Sequence, residues 1–214
     1  MKQYNKIFTI LTFFLLGCSQ PEIIAQHCDR QSVLVENNVF KVNYSETLEQ
    51  PLWVIYTSEN RPKNVDRGSM NFYVDKEVCT SDNKDYYRNV WDKGHMAPAA
   101  TFSDSYENLK LTFSYLNCSL QNQYLNRGEW RLLEEQEREW DDLENLTIKV
   151  IPVYSDQSER LPTNAVIPDA YHKHIKFENQ GVIKCYFFLN VKPEKGWEEH
   201  DNTSDCDILE DFTF

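Results

Sequence analysis

Residues 125–145 constrain the fold more than any other stretch. At about 100° per residue, Leu125, Leu132, Leu133, Trp140 and Leu143 fall on one face and Asn126, Glu134, Glu137 and Arg138 on another. One long helix that packs on its leucines and turns a polar stripe elsewhere is expected, with Asn126 near its start. After it, residues 147–154, 171–177 and 182–190 read as strands. Before it, the aromatic and β-branched run Leu52-Trp53-Val54-Ile55-Tyr56-Thr57 reads as a buried strand. Residues 39–42, 70–74 and 86–91 read as further strands, the last delivering Asp92 and His95. Ser103 or Asp104 is expected to cap a short helix through Lys110, and residues 112–117 fit either strand or helix. The class is α+β with a largely antiparallel sheet and flanking helices.

The amino end reads as a leader, residues 1–17. Lys2 and Lys6 make a basic start, and Ile7 to Leu16 is an apolar run too short to span a bilayer. Leu15-Leu16-Gly17-Cys18-Ser19 resembles the bacterial lipobox, in which a cysteine carries lipid, so Cys18 is the expected anchor. Ordinary secretion after Ser19 is the competing reading. Either route exports the protein, to the cell envelope or beyond, and the only membrane contact expected is a lipid on Cys18. Residues 18–33 form a polar lead-in, and residues 34–214 suffice for one domain with a real core.

Five cysteines remain beyond Cys18. In an exported chain they suggest disulfides, and an odd count leaves one thiol free. Cys185 with Cys206 is the favoured pair, a closure of a short loop that stabilises by about 3 kcal/mol. Cys28 with Cys79 comes second, leaving Cys118 unpaired.

The net charge is −12, and loss of Lys2 and Lys6 makes the exported chain more acidic by two. General electrostatics therefore cannot hold a polyanion, and any contact with nucleic acid needs a local basic cluster. Against this stands Asp92-Lys93-Gly94-His95-Met96-Ala97-Pro98-Ala99, which places a histidine in a turn bounded by glycine and proline. Histidine is the side chain whose ordinary pKa suits a general base near neutral pH. Asn126 offers one neutral oxygen, which suits a cation that keeps most of its waters, although a helix-capping asparagine would look the same. Glu134 and Arg138 are spaced i, i+4, also the spacing of a surface ion pair. His172 and His174 share a strand face, but no cysteine or carboxylate completes a zinc set.

The motif resembles the Asp-Arg-Gly-His signature of the DNA/RNA non-specific endonucleases, which carry a ββα-metal (His-Me finger) site. Thr112-Phe113, Tyr115-Leu116-Asn117, Gln121, Leu125-Asn126-Arg127-Gly128-Glu129-Trp130, Leu133-Glu134 and Glu137-Arg138 follow in that family's order. Arg67 before Phe72 matches an upstream arginine, and the similarity covers roughly residues 50–190. The resemblance implies His95 as the base, Asn126 as the ligand of Mg²⁺ with Mn²⁺ as an alternative, Glu134 on the metal's water shell, and Arg138 and Arg67 on phosphate. Lys93, Arg127 and Arg131 are expected to add substrate contacts, and Asn117 and Gln121 to orient the site, unless these two are plain surface amides. Three positions depart from the family: Lys93 replaces an arginine, Leu120 a proline, and Cys118 adjoins Asn117. The implied activity is hydrolysis of DNA, RNA or both to 5′-phosphate ends. The rival is a surface-anchored module that binds nucleic acid or protein on the same fold without turnover.

Lipid attachment requires the Cys18 thiol. Cys18→Ser is expected to move the protein from the detergent-extracted membrane fraction into soluble or unprocessed forms. Unchanged partitioning, with no lipid mass on the mature amino terminus, would favour plain secretion.

Overall fold

A computed structural model describes residues 28–205; the leader, Cys18 and Cys206 lie outside the described residues. In chain order the elements are β1 (Val33–Glu36), β2 (Phe40–Ser45), β3 (Gln50–Ser58), β4 (Trp91–His95), α1 (Tyr106–Thr112), β5 (Cys118–Asn122), α2 (Gln123–Arg127), α3 (Glu129–Asp141), β6 (Leu146–Val153), β7 (Ala170–Phe177) and β8 (Ile183–Leu189). Strands β1-β2-β3-β6-β7-β8 form one antiparallel sheet, and β4 pairs β5 in a separate ribbon. The fold is α+β, as expected, with α2 and α3 following the ribbon directly.

One face of the large sheet carries Val54, Tyr56, Ile148, Val150, Tyr171, Ile175 and Phe188, and α3 lays Trp130 and Leu133 on it. The Trp130 ring lies 5.4 Å from Tyr171 and 5.6 Å from Phe188. Each such side chain contributes about 1.5–3 kcal/mol by leaving water. This contact fixes where the chain upstream of α3 must sit.

The single helix expected over residues 125–145 is two helices. Asn122 caps α2 by accepting from the Tyr124 and Leu125 amides, so Asn126 is in the last turn of a short helix and is not a cap. Gly128 then breaks the run at φ −104° and ψ −115°. A Cβ there would meet the Tyr124 carbonyl oxygen at 2.5 Å. Leu132 and Leu143, assigned to the packing face, are 36% and 81% exposed, since the break rotates the register and α3 ends before Leu143.

Other segments also differ from expectation. Residues 70–74 make no strand; Tyr73 alone bridges Ser114. The strand expected over residues 86–91 begins only at Trp91 and runs to His95. Residues 112–117 complete α1 and a 3₁₀ turn, and Ser105 caps α1, its hydroxyl accepting from the Asn108 amide. Strands β1 and β5 were not anticipated, because neither shows clean alternation of apolar and polar residues.

The acidic residues of α3 divide between solvent and core, Glu135 and Glu139 being exposed. Glu137 and Asp141 are buried. Glu137 takes the Lys173 ammonium at 2.7 Å and the Tyr56 hydroxyl at 3.0 Å, and Asp141 takes Ser58 and Lys63. Glu144 accepts from the Asn179 amide. Cys28 and Cys79 form a disulfide across a separation of 51 residues, a closure that constrains the unfolded chain by about 4 kcal/mol. Beside it, Arg30 and the Cys79 amide converge on buried Glu46. Cys185 is disulfide-bonded too, while Cys118 is free and buried. Among the described residues no helix is long and apolar enough to cross a membrane.

Gly128→Ala drives a Cβ into the Tyr124 carbonyl oxygen, which is backbone and cannot give way as a flexible side chain would. It is expected to lower stability by about 2 kcal/mol in urea unfolding, while Glu135→Ala on the exposed face of α3 changes it little.

Candidate active site

His95 ends β4, where the ladder opposes it to Cys118. Tight pairing of the ribbon requires Gly94, because a Cβ there would run into the Gln121 side chain. The turn after His95 is then sewn down by Asn117. The Asn117 side-chain oxygen accepts from the Ala97 amide at 2.7 Å, and its Nδ2 donates to the Ala97 and Thr112 carbonyls at 2.9 Å each. Its main-chain carbonyl accepts from the Met96 amide. Asn117 and Gln121 are both fully buried, so neither is a surface amide.

The imidazole lies between rings: Phe72 at 4.8 Å and, edge-on, Phe113 at 5.0 Å. Its Nε2 is shielded from solvent and has no hydrogen-bond partner. Burial, and secondarily the Arg67 guanidinium, push the His95 pKa down to about 3. The ring is therefore neutral at ordinary pH with an unoccupied nitrogen lone pair or N–H at Nε2.

Asp92, three residues earlier, organises the other wall. One of its oxygens accepts from Asn126 Nδ2 at 2.9 Å, and both accept from the Arg127 guanidinium at 2.6 and 2.7 Å. A carboxylate can only accept, so it holds the nitrogen of Asn126 and leaves that residue's carbonyl oxygen to face elsewhere. The motif contained Asp92, but its role needed the fold to bring α2 beside β4.

His95, Asn126, Arg67, Lys93 and Arg127 line a single hollow of about 480 Å³, with Met70, Asn71, Phe72, Asp92 and Phe113 completing it. Three cations face one carboxylate there, in a chain of net charge −12. This is the local basic cluster that the overall charge demanded. From sequence Phe72 and Phe113 were markers of the family pattern only, with no role assigned to them in the site.

Glu134, Arg138 and Arg131 do not line this hollow. Arg138 lines another with Arg61, Lys63 and Ser103, and its Nη1 is buried without a partner. Glu134 and Arg138 make no ion pair with each other, and Arg131 instead reaches Glu135 and the Arg127 carbonyl. Burial raises the Glu134 pKa to about 7, opposed by Lys173 and Arg138 and assisted by Glu137. Among the described residues no three His, Cys, Asp or Glu side chains converge as a metal cage.

Known proteins are similar to this chain to different extents. A "Nuclease EXOG, mitochondrial" of Danio rerio is 33% identical over 103 residues, 46% of this chain and 30% of that protein. The "Nuclease" of Serratia marcescens is 32% identical over 116 residues, 49% of this chain and 42% of its own. The chain thus matches less than half the length of these relatives. In fold it resembles EndoG as solved in the EndoG/EndoGI complex, with a TM-score of 0.71 at 22% identity, covering 78% of this chain and 79% of that one. The sequence profile of the DNA/RNA non-specific endonucleases extends much further, matching residues 20–211. With that match running through the β4–β5 ribbon, all three helices and the whole large sheet, the chain belongs to the DNA/RNA non-specific endonuclease family.

Proposed function

We infer that the protein is an exported endonuclease that hydrolyses phosphodiester bonds of DNA, RNA or both, leaving 5′-phosphate ends. The observation that carries this reading is the Asp92–Asn126 hydrogen bond at 2.9 Å, which holds the amide nitrogen of Asn126 and leaves its oxygen free, in a residue that lines the same hollow as His95. One neutral oxygen with no carboxylate cage suits Mg²⁺, which keeps several waters, and Mn²⁺ equally. Such a cation supplies charge neutralisation for the phosphate and the departing oxygen.

The chain's own residues do the rest. Neutral His95 takes a proton at Nε2 from the attacking water, and Phe72 and Phe113 hold its ring in place. Arg67 and Arg127 bind non-bridging phosphate oxygens through paired N–H groups, Arg127 exchanging part of its hold on Asp92 for the substrate. Glu134 and Arg138 lie on α3 outside the hollow; from there Glu134 would order the outer water shell of a cation held by Asn126, and Arg138 would extend the basic path along the helix. Arg131 makes at most an outer contact. The acidic exterior favours the rival reading, a binding module without turnover. The intact pairing of His95 with Asn126 favours catalysis.

The purified chain is expected to cut plasmid, single-stranded DNA and RNA with Mg²⁺ and not with EDTA. His95→Ala is expected to lose at least about 100-fold in rate while still binding the cation; Asn126→Ala is expected to lose cation dependence as well. Retention of more than about a tenth of the activity in His95→Ala excludes His95 as the base. Gel retardation without cleavage would establish the binding module.

The two titrating groups make distinct pH signatures. With its pKa near 3, His95 stays neutral through the working range. An acid limb of kcat/KM near pH 7 therefore belongs to Glu134, which is protonated below that point. Glu134→Gln is expected to remove the limb. The same group affects stability in the opposite sense. A carboxyl whose folded pKa of about 7 lies above the ordinary 4.5 contributes stability that is full below 4.5 and is lost as pH rises through 7. Thermal unfolding across that interval should flatten in Glu134→Gln, and an unchanged slope would assign the titration elsewhere.

A further inference from the structure

Lys93 occupies the arginine position of the family motif, and its surroundings differ from those of a phosphate ligand. Its ammonium lies 5.3 Å from the Tyr115 ring centroid, 5.4 Å from Phe72 and 5.7 Å from Tyr86. It also donates to the side-chain oxygen of Asn83, and the same oxygen accepts from the Tyr115 hydroxyl at 2.8 Å. None of these partners is a carboxylate. Three ring faces and an amide oxygen thus form a cage for a compact point charge, the kind of site that recognises an ammonium.

The cage reaches His95 from two sides. The backbone beside Phe72 is held by the Tyr73–Ser114 bridge, and the orientation of its ring is set by side-chain contacts: Lys93, Phe113 at 5.2 Å, Tyr115 at 5.4 Å and the His95 ring at 4.8 Å. Tyr86 stacks on Tyr115 at 6.0 Å, and its hydroxyl meets the Cys118 sulfur at 3.2 Å, directly across the ladder from His95. We propose that Lys93 is a positioning residue, whose caged ammonium holds Phe72 against His95 and so orients the imidazole, and not a substrate ligand. The kinetic part of this proposal rests on the nuclease reading above, whereas the structural part does not.

The test uses Lys93→Met, which keeps the stem and removes the charge, Phe72→Leu, and the double variant. In the protein without substrate or cation, the His95 ring-proton NMR resonances are expected to shift in both single variants as the Phe72 ring current changes or disappears. Adding Lys93→Met to Phe72→Leu should move them no further. In cleavage assays, Lys93→Met is expected to lower kcat by about tenfold with KM and its salt dependence unchanged. A phosphate contact would instead raise KM and reduce the salt slope by about one. Unchanged His95 resonances in Lys93→Met, or that loss of salt slope, would overturn the proposal. If Lys93→Met does not fold, the Phe72→Leu resonances decide alone: unshifted signals show that Phe72 does not orient His95. A wild-type protein that cuts nothing would refute the nuclease reading and leave the NMR comparison valid.

Discussion

The buried pairing of Glu137 with Lys173 governs how α3 meets the sheet. Both side chains are withdrawn from water, the Tyr56 hydroxyl satisfies the second carboxylate oxygen, and the ammonium lies 4.2 Å over the Trp130 ring. Removing one partner from such a pair costs about 3–5 kcal/mol, because the other charge stays buried and unmet. The interaction joins α3 to β3 and β7 at one rotation and one height. Gly128 and α2 follow rigidly from that setting, and so does the placement of Asn126 beside Asp92.

A second buried polar group, the Asn117 amide, does for the histidine turn what Glu137 does for the helix. It meets Ala97 twice and Thr112 once, so the backbone beyond His95 has one conformation. The two devices converge from opposite sides on the hollow. One places the amide oxygen of Asn126, and the other places the imidazole of His95. Fully paired buried amides rigidify in this way because the low local dielectric makes their loss expensive.

Electrostatics divides along the same boundary. The exterior is acidic, yet Arg67, Lys93 and Arg127 gather where Asp92 is the lone carboxylate. Burial keeps His95 neutral while it raises Glu134 toward neutral pH. Desolvation acts on both, with opposite signs because one group is charged when protonated and the other when deprotonated.

By itself the sequence determined the class, the three carboxy-terminal strands, the strand around Val54, and the pairing in one region of His95, Asn126 and Arg67. Each has a local signature: β-branched and aromatic runs, a glycine-histidine turn, and a motif spacing that survives divergence. Tertiary structure alone decided the break at Gly128, the burial of Glu137 and Asp141, and the caging of Lys93. Helical periodicity reports which residues share a face, but a helical carboxylate becomes core only when a lysine 36 residues away on a strand comes to meet it. In the same way Lys93 reads as a phosphate contact until Phe72, Tyr86 and Tyr115, from three separate segments, close around it. A partner distant in sequence leaves no periodic trace, and it is the partner that sets the physical role of a charge.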